Sequence, residues 1–271
     1  MIRISKHKKE PKTLVIRFEY NKEIIEKIKT IPGKHWHAKE KYWTIPYWTI
    51  QSFCKLFDQS QLIIEPDVDV NYVPSDKYNF EEEINYINSD KFKLFARWIL
   101  KIAPEEFYIK PASSSGKYHP EYAKQEGGLA KHTAATIRIG VSLFDSIEID
   151  PLSQDIIIVS LLAHDIMKYN GSDRTNFEHP LLASKYIEEQ FDSNKEELED
   201  DIKFVYNKYW NDYIKKAIES HMGRFNTKEG HATKLPLPKN KISAFVHQCD
   251  YLASRSFIEI NFNKKVKPSN K

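Results

Sequence analysis

The sequence predicts a mainly α protein, an all-helical domain preceded by a small α+β module, and three observations predict it. Residues 13–20, TLVIRFEY, alternate apolar and polar with period two, as a half-buried strand does. From about residue 80 onward the apolar spacing is helical, and no alternating stretch interrupts it. Between the two lies PDVDVNYVPSDKYN at 66–79, whose two prolines and several turn formers mark a linker. The expected division is therefore a module at 1–65, a linker at 66–79 and a helical domain at 80–271.

The elements follow in order. The strand at 13–20 places Leu14, Ile16 and Phe18 on one face. Asn21 caps a helix through Lys29 whose apolar stripe is Ile24, Ile25 and Ile28, and Pro32-Gly33 ends it. KHWHAKEKYWTIP reads as a hairpin that brings Trp36 close to Trp43, followed by a short helix at 47–58 and a strand at 62–65. In the second domain, helices are expected over 81–88, 90–102, 129–146, 152–169, 179–191, 196–208, 211–222 and 239–258.

Composition narrows the function classes. A hydrophobic fraction of 41% supports a core, and 29% charged residues with 13% aromatics is globular. The longest apolar run, DIIIVSLLAHDI at 155–166, falls short of the roughly 20 residues of a membrane span, so no membrane partner is expected. MIRISKHKKEPK lacks an apolar h-region, which argues against a secretory signal. Cys54 and Cys249 form no CxxC pair, and a reducing, cytoplasmic setting is expected. Residues 1–65 carry 13 Lys and Arg against 7 Asp and Glu, whereas the remaining chain carries 28 against 31. A basic front end on a mildly acidic body suits contact with phosphates, although charge alone favours a solvated lysine-rich surface.

The chemistry-bearing motifs fall in the helical domain: GGLAKHT (127–133), LLAHDIMK (161–168), FEHP (177–180), ESHMGRF (219–225) and FVHQCDYLASR (245–255). His164 and Asp165 are adjacent within an apolar stretch. Burying an unpaired carboxylate is costly, and a divalent metal is a natural compensation. Imidazole with carboxylate accepts Mn, Fe, Ni, Co, Zn or Mg, so the ligand types leave the metal's identity open.

In that order, His132, His164-Asp165, His179, His221 and Asp250 resemble the HD-domain metal-dependent phosphohydrolase superfamily, over about residues 110–256. The resemblance implies that His132, His164, Asp165 and Asp250 hold one metal, and that His179 and His221 mark the subgroup that holds a second. Lys168 completes an HDxxK form. GGLAKHT, SHMG and HQCDYLASR are further similar to the 3′–5′ exoribonuclease branch, from which the chain departs at Met222, where a second histidine is frequent. No oligonucleotide-binding barrel of the kind found in that branch precedes the domain.

These residue types suit phosphoester hydrolysis. Asp165 as a bridge would hold two cations about 3.5–4 Å apart, and a metal-activated water would serve as nucleophile. Lys168, one turn beyond Asp165, is placed to neutralise a phosphate oxygen. Arg224 is placed to clamp a phosphate with two hydrogen bonds, and Arg255, Lys117 and His119 are further candidate substrate contacts. His247, three residues before Asp250, is either a partner that orients Asp250 or a surface histidine.

The front module resembles a HARP-like (HepA-related) module through IRFEYNKEIIEKIKTIPGKHWHAKEKYWTIP (16–46), which implies nucleic-acid contact. Lys34 and Lys41, interleaved with Trp36 and Trp43, can pair phosphate contacts with base stacking, although tryptophans in a module of this size are more often core. The expected activity is cleavage of single-stranded RNA or DNA in the manner of a nuclease. Alternatives are a small-nucleotide phosphatase or phosphodiesterase, and a non-catalytic, metal-stabilised binder of nucleic acid or nucleotide.

Overall fold

The computed structural model describes residues 1–31, 33–72, 77–114, 118–172 and 174–266. Its N-terminal part is a five-stranded sheet built from β1 (Ile2–Lys6), β2 (Thr13–Arg17), β3 (His35–His37), β4 (Tyr42–Pro46) and β5 (Leu62–Ile64), in the order β3-β4-β2-β1-β5. Every pairing is antiparallel except β1 with β5. That parallel pair requires a crossover, supplied by a 3-10 turn at Tyr47–Thr49 and helix α2 (Ile50–Cys54). The register places Ile4 between Ile16 and Ile64. Ile4 and Ile16 form a fully buried core with Leu14, Ile45 and Phe53, and Ile64 packs against it. It is closed by Ile28 of α1 (Lys22–Lys29), whose cap Asn21 accepts from the Ile24 N–H at 3.1 Å.

The strand expected at 13–20 stops at Arg17, and the helix expected over 47–58 shortens to the 3-10 turn and α2. The edge-proximal strand β1 was not anticipated, because Ile2 and Ile4 alternate over only five residues. Residues beyond 65 fold back onto this core. Val68 is buried, Tyr72 stacks on Tyr47 at 4.1 Å, and the Tyr47 hydroxyl accepts from the Asp69 N–H at 2.6 Å.

The remainder is helical: α3 (Glu81–Asn85), α4 (Asp90–Ile102), α5 (Glu105–Ile109), α6 (Glu121–Lys124), α7 (Gly128–Leu143), α8 (Pro151–Ala163), α9 (His179–Asn194), α10 (Asp200–Tyr209), α11 (Lys215–Ser220) and α12 (Lys241–Ala253). Helix α8 is the hub. Asp150 caps it, accepting from Ser153 N–H at 3.0 Å, and its side chains are apolar all round because α4, α7, α11 and α12 surround it. Helices α5 and α6 are single turns begun after Pro104 and Pro120, too short to show a periodicity. At Gly128 a Cβ would lie 2.3 Å from the Ala123 carbonyl oxygen, so glycine is what lets α7 start against α6. Between α10 and α11 a π-helical turn at Trp210–Ile214 inserts the Trp210 indole, which donates to Glu188 at 3.0 Å.

Two polar features tie the parts together. Arg138 of α7 is buried and donates to Glu83 at 2.7 Å and to the Lys264 carbonyl at 2.9 Å, holding the C-terminal segment down. Lys110 is buried between the two cores, with its ammonium 5.3 Å from the Trp48 ring and 5.1 Å from that of Tyr169. Nearby, Lys12 pairs with Glu126 at 3.0 Å. Among the described residues, no helix is long and apolar enough to cross a membrane.

Candidate metal centre

Helix α8 does not run through the His-Asp pair, as the apolar run from 152 to 169 suggested, but ends at Ala163. His164 and Asp165 lie in the turns that follow, where the Lys168 N–H donates to the Asp165 carbonyl at 3.0 Å. Neighbouring side chains on a continuing helix diverge by about 100°. Leaving the helix here allows both to face the same interior point.

Six side chains from five segments converge there. Donor atoms of His132, His164, Asp165 and Asp250 form one set, and those of Asp165, His179 and His221 form another, each with its atoms within 4.8 Å of one another. The Asp165 Oδ2 lies 3.4 Å from His164 Nε2 and 3.8 Å from His132 Nε2, while its Oδ1 lies 2.9 Å from His179 Nε2 and 3.6 Å from His221 Nε2. One carboxylate thus serves both sets, one oxygen to each.

The histidines are pre-oriented by the backbone. The Nδ1 of His164, His179 and His221 each meets the carbonyl three residues earlier (Leu161, Asn176 and Ile218) at 2.5, 2.6 and 2.7 Å. Each Nδ1 must donate, which leaves Nε2 as the ring atom aimed into the centre. His164 Nε2 and Asp165 Oδ1 are buried without a hydrogen-bond partner. Six inward donors of imidazole and carboxylate type, with orphaned buried acceptors among them, fit divalent cations.

The electrostatics point the same way. Burial would raise the Asp165 carboxyl, but His164 and Lys168 hold it well below the usual carboxylate range. Asp250 is likewise held low against burial, by the hydrogen bond from His132 and the neighbouring His164 imidazole. Burial opposes protonation of His164, yet the Asp165 and Asp250 charges push it up to about 10. Burial, with the charges of His164 and His179, pushes His221 down to about 3. The centre wants positive charge at one place and excludes protons at another.

A cavity of about 640 Å³ opens onto this centre at Asp250 and is lined by Lys168, His119, Arg224, Arg255, Tyr118 and Tyr251, among others. Of the expected substrate contacts, His119, Arg224 and Arg255 therefore reach the site, whereas Lys117 lies outside the described residues. The His119 ring meets the His132 ring edge-on at 5.2 Å. Lys168 lines the cavity too, but its Nζ is 2.5 Å from Asp165 Oδ2, so it is committed first to that carboxylate. His247 does not orient Asp250 and is not a free surface group. Its Nδ1 lies 2.6 Å from the His221 carbonyl oxygen, which fixes the turn carrying Arg224. Tyr118, Phe225 and Tyr251 were missed; the only available signal was that aromatics stand beside His119, Arg224 and Asp250 in sequence.

The front-module residues are elsewhere. Trp36, Lys41 and Trp43 line a separate groove of about 530 Å³ with Phe18 and Tyr20. Trp36 is 43% exposed, and its ring lies 5.3 Å from that of Trp43. Lys34 is not part of that groove. It is half-buried near Arg174, and burial together with that charge lowers its pKa.

Residues 129–255 match the family model of the HD domain. The matched segment contains all six convergent side chains. No curated protein and no solved structure gives a significant match to the chain.

Proposed function

We propose that this chain is a metal-dependent phosphohydrolase that cleaves phosphoester bonds of single-stranded nucleic acid, and that its front module recruits the strand. The observation that carries the substrate assignment is the groove of the basic module, where Trp36 is exposed beside Trp43 and Lys41. Exposed aromatics interleaved with cations stack bases and meet phosphates without regard to sequence. The likeness of IRFEYNKEIIEKIKTIPGKHWHAKEKYWTIP to HARP-like modules supports the same reading. So does the likeness of GGLAKHT, SHMG and HQCDYLASR to 3′–5′ exoribonucleases, although Met222 stands where a second histidine is frequent in that branch.

Divalent ions held by His132, His164, Asp165 and Asp250, and by Asp165, His179 and His221, would supply charge neutralisation at phosphorus and a water of lowered pKa as nucleophile. The protein's own groups do the rest. Backbone carbonyls aim three imidazoles, Lys168 balances Asp165, and Arg224 and Arg255 stand on the cavity side, where they can meet substrate phosphate.

The test is incubation of full-length protein and Mn²⁺ with end-labelled single-stranded RNA and DNA, beside bis(p-nitrophenyl) phosphate. Shortened strands are expected, abolished in His164→Ala/Asp165→Ala and slowed in Trp36→Ala through KM with kcat held. Hydrolysis of the small diester without strand cleavage would overturn the polymer substrate and favour a small nucleotide. Unchanged hydrolysis by the double variant would overturn the site.

A further inference from the structure

The geometry points to a second phosphate subsite at the mouth of the catalytic cavity, formed by Arg224 and Arg255, so that the substrate class is a nucleotide carrying a further phosphate beside the scissile one. This deepens, and rests on, the phosphohydrolase reading above.

Both guanidinium groups are positioned by aromatic rings and by no carboxylate. The Arg255 Cζ lies 4.3 Å from the centre of the Tyr251 ring and 5.7 Å from that of Tyr118. The Arg224 Cζ lies 5.6 Å from the same Tyr251 ring and 5.0 Å from Phe225, whose plane is within 13° of that of Tyr251. Among the described residues neither arginine has an acidic partner, and Arg255 Nε is buried with no hydrogen-bond acceptor. Arg224 is exposed and Arg255 half-buried at the cavity mouth, whereas the inward cations Arg138 and Lys168 are paired with Glu83 and Asp165. Two permanent cations on one ring, held in place yet left unneutralised, are arranged for an anion from outside.

The two cations are also fixed relative to the metal centre. Arg224 follows His221 by three residues through Gly223, whose positive φ of 52° turns the chain. Arg255 follows Asp250 by five residues, just past the end of α12. The scissile phosphate belongs to the inward-facing centre. A guanidinium pair standing outside that centre matches the next phosphate along, and the fork geometry of arginine matches its paired oxygens.

The readout is binding, which holds whether or not the centre turns over. Full-length protein with Mn²⁺ is titrated calorimetrically with adenosine 5′-monophosphate and with adenosine 3′,5′-bisphosphate. The bisphosphate should bind at least about tenfold more tightly, one charge-assisted contact being worth about that factor. Arg224→Gln and Arg255→Gln should each remove most of the difference while moving the monophosphate little. Arg→Lys at either position, which keeps charge and loses the fork, should retain part of it and guards against misfolding of the glutamine variants. Equal affinity for the two ligands, or equal weakening of both in the variants, would overturn the subsite. A single-stranded tetranucleotide that binds more tightly than the bisphosphate, in an arginine-dependent way, takes the second phosphate from a strand. The reverse order takes it from a free nucleotide. Failure to hydrolyse bis(p-nitrophenyl) phosphate would count against the phosphohydrolase reading alone.

Discussion

The Nε2 atoms of His179 and His221 lie 3.0 Å apart, and each ring has already committed its Nδ1 proton to a backbone carbonyl. Two lone pairs therefore face one another across a hydrogen-bond distance, with Asp165 Oδ1 2.9 Å from one of them. That contact is repulsive until a cation occupies it. His179→Asn should consequently lower bound metal per chain in plasma emission measurements while leaving the metal-free melting temperature unchanged or higher. The metal-induced stabilisation, about 2.7 kcal/mol for a site at a hundredfold excess over Kd, should shrink in the variant. Unchanged metal content would remove His179 from the centre.

Proton uptake gives a second test. His164 is raised to about 10 in the folded chain, so its contribution to stability is complete below the unfolded value of about 6.5 and is lost as pH climbs through 10. His221 is lowered to about 3 and has the opposite sign, destabilising the fold as pH falls below 6.5. In chelator, melting temperature should therefore peak near neutrality and fall on both sides. His164→Gln should flatten the alkaline limb, and Mn²⁺ should do the same in the unmodified protein by taking the proton's place. A melting temperature that rises steadily from pH 7 to 10 in chelator would mean that His164 is neutral.

At Gly223 the backbone has φ of 52°, and a Cβ would lie 2.3 Å from His247 Nε2. Gly223→Ala should cost about 1–3 kcal/mol for the backbone alone, and more for the collision. In a denaturation double-mutant cycle, His247→Ala should recover the collision and leave the backbone part. Additive costs would show that the ring moves aside freely.

Arg138 and Glu83 form a buried pair at 2.7 Å, with Tyr78 donating to Glu83 at 3.0 Å. Arg138→Ala leaves Glu83 buried and unpaired, so the expected loss is about 3–5 kcal/mol. The segment around Asn261–Lys264 should become protease-sensitive in the same variant, since its carbonyls lose their donor. Tryptic patterns before and after substitution decide this.

The helices of the body were legible where apolar spacing repeats over three turns or more, as in α4, α7, α8 and α12. Their ends were less so. Nothing in LLAHDIMK announces that α8 stops at Ala163, because the reason is the inward demand of two adjacent polar side chains, a tertiary requirement. The six convergent side chains were legible as an ordered pattern, since each is a polar group in an apolar context. Lys168 carried an ambiguous signal: its spacing placed it near Asp165 but did not say that the two would pair. The aromatic backing of Arg224 and Arg255 was not legible, because Tyr118 and Tyr251 come from segments more than a hundred residues apart.

Lys110 carries one more implication. Its ammonium rests on Trp48 of the front module on one side and on Tyr169 of the helical core on the other, so separating the two parts would break a shared buried cation–π contact. The two cores should consequently unfold as one cooperative unit, with tryptophan fluorescence and helical ellipticity tracing a single superimposable transition. Lys110→Met should keep that coincidence, since it leaves the packing without the charge, whereas Trp48→Ala should split the transition in two.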